Sequence, residues 1–493
     1  MRDFSSYLES QSIRYQTRIK QGAFVPIKPL ESSAFKTTAL YISLVLVIAS
    51  IAILPFSYSV ISIKLPVNLL FIALGVFALG FWREYRELAC DVRKIWFALV
   101  CLLVVIIMAY ISLFWAVDSR ATLQAIRQYL LEPSVFLVLG FLLTTRLDDR
   151  GLKLLLIGLC LALSYHPIAT IWDFFANGGG RFGYRATLSA YTIAETIYVF
   201  YLVFAFGLSL ALSIFTKGIA RFLAIVFVCI NIAALIANGG RFALLAGVAM
   251  LISPFVLLAY RYKRLVLGVV LALCVGLGYG IYTMSKAWDA RYNVYNMVNN
   301  VAEVWSVAPA EMGRFTHCDE YSCSPHSLPP HPSIQWEYSS LARLSMLKAT
   351  LLAIAQSPFR PNGYHFQQFY QNLEAIFPKT SKNSVFFYHF HHHNHNRFAS
   401  FWFELGFVGF SAAMLLPAWI IYAFYRLRLR FTSTFSSTDR SLVLINGGIV
   451  FGLIGLGVSN IFDCIPIREG NLVLFILFGV VLAVAARSRR VCA

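Results

Sequence analysis

The sequence predicts an all-α integral membrane protein of about twelve transmembrane helices with one large loop on the outer side. Three observations predict this. First, of 493 residues 59% are hydrophobic and only 13% charged, with a mean hydropathy of +0.69. A soluble domain of this length has no use for so much apolar surface. Second, apolar runs long enough to cross a bilayer recur along nearly the whole chain. Third, lysines and arginines crowd into the short connections between alternate runs, which is how cytoplasmic loops are marked. The formal charge of +18 would suit nucleic acid. The basic residues, however, lie in short scattered clusters rather than on one face, so no nucleic-acid partner is expected.

Taken in order, residues 1–37 are polar and hold Arg2, Arg14, Arg18, Lys20, Lys28 and Lys36. With no apolar core before Ala39 they do not read as a signal peptide, and a cytoplasmic tail is expected. Residues 38–284 hold nine expected spans, at about 38–57, 66–82, 96–115, 128–145, 154–175, 191–215, 222–238, 242–260 and 265–284. Three more follow within 402–487, at about 402–425, 442–461 and 471–487, and 488–493 is a short tail. Counting from a cytoplasmic N-terminus, 25 of the 41 Lys and Arg residues fall in the tails and the even-numbered connections. Both termini are therefore expected in the cytoplasm of a bacterial cell, with the chain in the inner membrane.

The connection at 285–401 is far longer than a connecting loop needs to be, so it is expected to carry function on the periplasmic side. Ser333 is positioned to cap a helix running to about Gln356, with Leu341, Leu344, Leu347, Leu351 and Ile354 on one face and Pro358 ending it. In an oxidising compartment a Cys318–Cys323 disulfide is compatible with the spacing.

The chemistry gathers around HFHHHNHNRFASFWFELGFVG, residues 389–409. His393-Asn394-His395-Asn396 precedes an apolar run, Glu404 follows His395 by nine residues, and Gly406 and Gly409 come next. Upstream, Arg241 follows Asn238-Gly239-Gly240 and opens a span, where free N–H groups and the helix dipole favour an anion. Arg343 follows Ser339 and Ser340 on the expected loop helix. This set, together with the weaker LFWAVDSRATLQAIRQYLL after span three, resembles the O-antigen ligase and polymerase family. Those proteins are membrane glycosyltransferases with a GT-C-like fold that move a glycan off a polyprenyl-diphosphate carrier.

The resemblance implies His395 as catalytic base, supported by His393, Asn396 and Glu404. It implies Arg241 and Arg343 as diphosphate ligands, and the glycine-rich GGGRFGYR adds Arg181 and Arg185 on the same side. The residue types suit these tasks. Arginine binds phosphate oxygens with a planar, permanently charged fork, and histidine exchanges protons near neutral pH. Plainer readings stand beside them: an interfacial snorkelling Arg241, a solvated Arg343, an ordinary turn at Arg181 and Arg185, and a metal site in the histidine run. Glu404 within a span requires a partner, for which Arg241 and Arg397 are candidates. Asp463, Arg468 and Glu469 in the last outer loop are further candidates for the site.

The resemblance further implies an inverting transfer that needs no cofactor, neither ATP nor a metal. The donor would be a glycan on undecaprenyl diphosphate. The acceptor would be lipid A–core in a ligase, a growing glycan in a polymerase, or a protein hydroxyl in a protein O-oligosaccharyltransferase. Length and the single large loop favour the ligase. A transporter of the lipid-linked glycan is the alternative of another class, although the expected mid-membrane charges and repeated halves are lacking.

Overall fold

The structure, a computed structural model, describes residues 34–58, 61–176, 195–258, 293–306, 317–318, 323–324, 338–364, 369–374, 394–428, 437–462 and 468–489, with a few isolated positions between. Among the described residues the regular elements are all helices apart from one two-residue antiparallel ladder, β1 (His317–Cys318) with β2 (Cys323–Ser324). In order come α1 (Ala34–Ile53), α2 (Lys64–Phe81), α3 (Tyr85–Arg93), α4 (Trp96–Ile111), α5 (Ser119–Ile126), a π-helical turn at Arg127–Leu131 and α6 (Glu132–Arg146). Then follow α7 (Asp149–Ala176), α8 (Glu195–Phe215), α9 (Gly218–Asn238), α10 (Arg241–Leu258), α11 (Val294–Ser306) and α12 (Tyr338–Gln356). The last are α13 (Phe369–Glu374), α14 (Arg397–Arg428), α15 (Ser437–Phe462) and α16 (Arg468–Arg489).

Among the described residues nine helical segments are long and apolar enough to cross a membrane, and they coincide with expected spans one to five, seven, eight, ten and eleven. Helices α8 and α16 stand where spans six and twelve are expected, and span nine lies almost wholly outside the described residues. The protein is thus an all-α integral membrane protein.

Helix α8 is buried all round from Tyr201 to Ala211, and α15 likewise from Ser441 to Phe451. They form the centre of the bundle and touch backbone to backbone: a Cβ on Gly207 would stand 2.2 Å from the carbonyl oxygen of Gly448. Helices α6 and α16 meet the same way, since a Cβ on Gly479 would stand 2.1 Å from the oxygen of Leu137. Between apolar helices in lipid, where tails are as apolar as leucine, such small-residue contact is what allows tight packing. Outward-facing side chains are large and apolar, among them Leu161, Phe222 and Phe255. That is the surface a bilayer requires.

The two ends of the bundle differ. At one end the 83–94, 146–153 and C-terminal segments meet: Arg146 pairs with Asp91 at 3.2 Å, and Arg487 donates to the carbonyl of Leu147. The other end bears the long loop, whose pieces attach to the ends of neighbouring helices. The Tyr364 amide donates to Ser112 Oγ (3.0 Å), the Val117 amide to Asn372 Oδ1 (2.9 Å), and Asn396 Nδ2 to the carbonyl of Ile461 (3.0 Å).

Helix α12 ends at Gln356, just before Pro358, but it does not bury the expected leucine face. Met346, Ala349, Thr350 and Ala353 are inside together with Ile354, while Leu344 and Leu347 are half-buried and Leu351 is exposed. The small face wins because α12 packs closely on α14 and α11. Lys348 comes inside as well, donating to the carbonyls of Val304 and Trp305 at 2.9 Å each. It thereby caps the open C-terminal end of α11. Burial pushes its ammonium below the ordinary lysine value.

Candidate functional site

The loop end of α14 is where the sequence-derived residues meet the fold. This helix starts at Arg397, and Asn396 caps it by accepting the Ala399 amide at 2.9 Å. The same Asn396 side chain reaches α15 through the Ile461 carbonyl. Its amide is therefore committed on both atoms, one to the helix start and one to a neighbouring helix.

His395 precedes this cap with φ of +54°, and among the described residues it is the sole non-glycine residue at positive φ. The left-handed region costs an L-residue about 1–2 kcal/mol, so something must impose it. The cause is next to it: Asn394 Oδ1 accepts the Asn396 amide at 3.0 Å, closing a turn around His395. Ser400 Oγ, one turn into the helix, donates to the same oxygen at 2.7 Å. Asn394 is buried and His395 half-buried, so the imidazole stands on a fixed pedestal with part of its surface open.

Glu404 is buried, and neither carboxylate oxygen has a hydrogen-bond partner among the described residues. Its electrostatic partner is Arg397, seven residues back and so on the same face of the helix; Arg241 is not the partner. Arg397 is itself buried, with its guanidinium 3.7 Å from the centroid of the Phe401 ring, and it donates to the Tyr364 hydroxyl. Burial pushes the Tyr364 phenol well up, and Arg397 opposes the shift. Tyr129 of the π-helical turn also acts on Tyr364. The cluster Tyr364–Arg397–Glu404 thus lies beneath the histidine turn, two helical turns deep at its far end.

The helix that carries the site is broken at Gly406, with φ of +65° and ψ of 173°. This is a conformation open essentially to glycine alone. The break separates two groups that a continuous helix would join, the carbonyl of Phe403 and the amide of Phe407. Both are satisfied by the segment after α12. The Asn362 amide donates to the Phe403 carbonyl (3.1 Å), and the Phe407 amide donates to the Pro358 carbonyl (2.9 Å). Trp402 Nε1 also donates to Pro358 (2.9 Å). A Cβ on Gly406 would stand 2.4 Å from the carbonyl oxygen of Phe359. The glycine therefore serves both the turn and the close approach.

Arg241 opens α10 after Gly239, which sits at φ of +67° and ends α9. It is half-buried, and its Nη1 lies 3.7 Å from the sulfur of Met297 on α11. Arg343 is half-buried near the start of α12, with no side-chain partner among the described residues. Helices α11 and α12 pack together, α12 packs on α14, and α10 touches α14, so both arginines are carried by elements that contact α14. His393, Arg181 and Arg185 lie outside the described residues, as do His389, His391, His392 and Asp463. Arg468 pairs with Glu132, away from this cluster. Among the described residues no three His, Cys, Asp or Glu side chains come together as a metal cluster.

Asn362, Tyr364, Asn394 and Ser400 are the residues that sequence reasoning missed. Asn394 had a signal, an asparagine two residues before the helix cap; Asn362 and Tyr364 had none without the fold.

Residues 223–414 match a family model described as O-Antigen ligase. The matched stretch contains Arg241, Arg343, His395 and Glu404, together with the Gly406 break. No curated protein matches the chain.

Proposed function

From the match of residues 223–414 to the O-antigen ligase family model, we propose that this chain belongs to the O-antigen ligase and polymerase family and is an O-antigen ligase. It transfers a glycan from undecaprenyl diphosphate to lipid A–core oligosaccharide at the periplasmic face of the inner membrane, with both termini in the cytoplasm. The observation that carries this reading is the strained His395, clamped at the mouth of α14 by Asn394 and Asn396. Backbone strain that its surroundings impose on a single polar residue is characteristic of functional positions.

In this reading the acceptor hydroxyl attacks the anomeric carbon while the bond from that carbon to the diphosphate oxygen breaks. The electron pair leaves on the carrier diphosphate, the configuration inverts, and His395 takes the proton, with His393 in support. Arg241 and Arg343, joined by Arg181 and Arg185, hold the diphosphate and neutralise the charge that develops on departure. No metal is needed where arginines supply that charge. Asn396, with both side-chain atoms engaged, positions the histidine rather than the sugar. The Glu404 carboxylate keeps Arg397 oriented beneath it.

The deciding experiment is the glycan profile of envelopes from cells lacking the gene, with complementation by wild type, His395→Ala and Arg241→Ala. Loss of long chains from lipid A–core with accumulation of carrier-linked chains supports the ligase, and neither variant restores them. Single-repeat lipopolysaccharide means a polymerase instead. Carrier-linked chains confined to the cytoplasmic leaflet mean a transporter. Reporter fusions after Tyr321 and Arg430 give opposite readouts if the loop is periplasmic.

A further inference from the structure

A cationic cleft opens at the loop end of the bundle, on the far side of α5 from the histidine site. It measures about 780 Å³ and lies among the heads of α2, α5 and α16 and the end of α4. Four cations line it: Lys64, Arg120, Arg127 and Arg468. The one acid is Glu132, which already pairs with both Arg468 and Arg127 (3.5 Å). Lys64 and Arg120 are exposed and have no side-chain partner among the described residues. The cleft therefore holds an excess of about three positive charges. Such an excess is the exception at the end of the bundle that carries fewer of the chain's basic residues.

The lining is not that of a site for a dissolved anion. Leu123 lies between Arg120 and Arg127, and Val67 and Phe71 continue the wall below Lys64. Phe71 and Leu123 are 45% and 48% exposed on helical segments long and apolar enough to cross the membrane. A ligand that satisfies both parts has an anionic head at the membrane surface and acyl chains running along apolar side chains.

We propose that this cleft binds the phosphate of a lipid in the leaflet at the loop end, with the phosphate between Lys64, Arg120 and Arg127 and the chains against Phe71 and Leu123. The wall between the cleft and the catalytic cluster is one helix thick. The outer face of α5 and the π-helical turn gives Arg120, Leu123 and Arg127 to the cleft. The inner face packs Ala125, Ile126 and Leu130 with Tyr364 and Leu405. A phosphorylated glycolipid seated there has its anchor about 10 Å from the site, the width of a helix, within reach of a sugar chain.

The test uses the full chain in nanodiscs and reads retained lipid by native mass spectrometry, with no transfer reaction involved, so its outcome is independent of the ligase reading. The probes are bisphosphorylated lipid A, phosphatidylglycerol, uncharged diacylglycerol and inorganic phosphate. The expected result is retention of the phosphorylated lipids only, weakened about tenfold or more in Lys64→Gln/Arg120→Gln, with no competition from inorganic phosphate. Gln124→Lys, which adds a cation at an exposed cleft position, strengthens retention. Equal retention by wild type and the double variant overturns the proposal. So does displacement by inorganic phosphate, which would make this a site for the free ion, and so does equal retention of diacylglycerol.

Discussion

Asn362 gives both its backbone amide and its side-chain amide to one acceptor, the carbonyl of Phe403, at 3.1 Å each. That carbonyl has lost its helical partner at Gly406, and a residue some forty positions earlier replaces it twice. The repair is therefore specific to the broken form of the helix.

Gly406→Ala removes the break. An alanine cannot hold φ of +65° with ψ of 173°, and its Cβ meets backbone rather than a flexible side chain. The expected cost is about 3 kcal/mol or more, from strain and from two orphaned groups. A large fall in thermal midpoint in detergent checks it, and a midpoint within a degree or two of wild type would show that the segment is not held by the break.

At His395 stability and turnover separate. His395→Gly relieves the left-handed strain and leaves the protein as stable as wild type or more so by about 1 kcal/mol. Transfer falls by about 10²–10⁴ as the base is lost. His395→Ala loses the same activity without the gain in stability. Thermal melts paired with transfer by purified protein read both, and full activity in either variant refutes the assignment of the base.

Arg397→Leu leaves Glu404 buried with no compensating charge and should cost about 3–5 kcal/mol. Arg397→Leu/Glu404→Leu recovers most of that stability yet stays inactive, since the support beneath the histidine turn is gone. A double-mutant cycle on unfolding gives the coupling; additive losses would mean that the two charges do not act on one another.

Lys348→Met keeps the stem and removes the cap on α11. Two charge-assisted bonds to the Val304 and Trp305 carbonyls disappear. Hydrogen exchange in 294–306 should accelerate while α14 remains protected, and unchanged exchange would contradict the clasp.

The ladder β1–β2 sets Cys318 opposite Cys323 in register. Directly opposed residues in an antiparallel pair stand about 4.5–5.5 Å apart, a separation a disulfide spans. Peptide mapping without reductant should recover the bridged pair, and two alkylated thiols would also argue against an oxidising compartment for the loop.

The membrane architecture was legible because lipid leaves a chain little choice: each crossing must be a long apolar helix. The site was legible only where its residues are near one another in sequence. Glu404 had two candidate partners, Arg241 and Arg397, and the spacing of seven favours Arg397 once the helix is known to start at Arg397 rather than near residue 402. Asn362 and Tyr364 were beyond reach, since their roles arise from a loop inserted into a distant helix. The leucine stripe of α12 misled because hydrophobicity was taken to name the inner face. Close packing instead put alanine, threonine and a lysine inside.

The repair at Gly406 also orders events during synthesis. Pro358 offers its carbonyl to Trp402 and Phe407, which leave the ribosome about fifty residues later, or roughly 2–10 s at ordinary elongation rates. Until then the 358–362 segment has no seat, and the histidine turn has no finished helix to cap. The nascent chain accordingly carries Arg241 and Arg343 well before it carries the head of α14. The 358–362 segment and the histidine turn are therefore completed together, once α14 has been made.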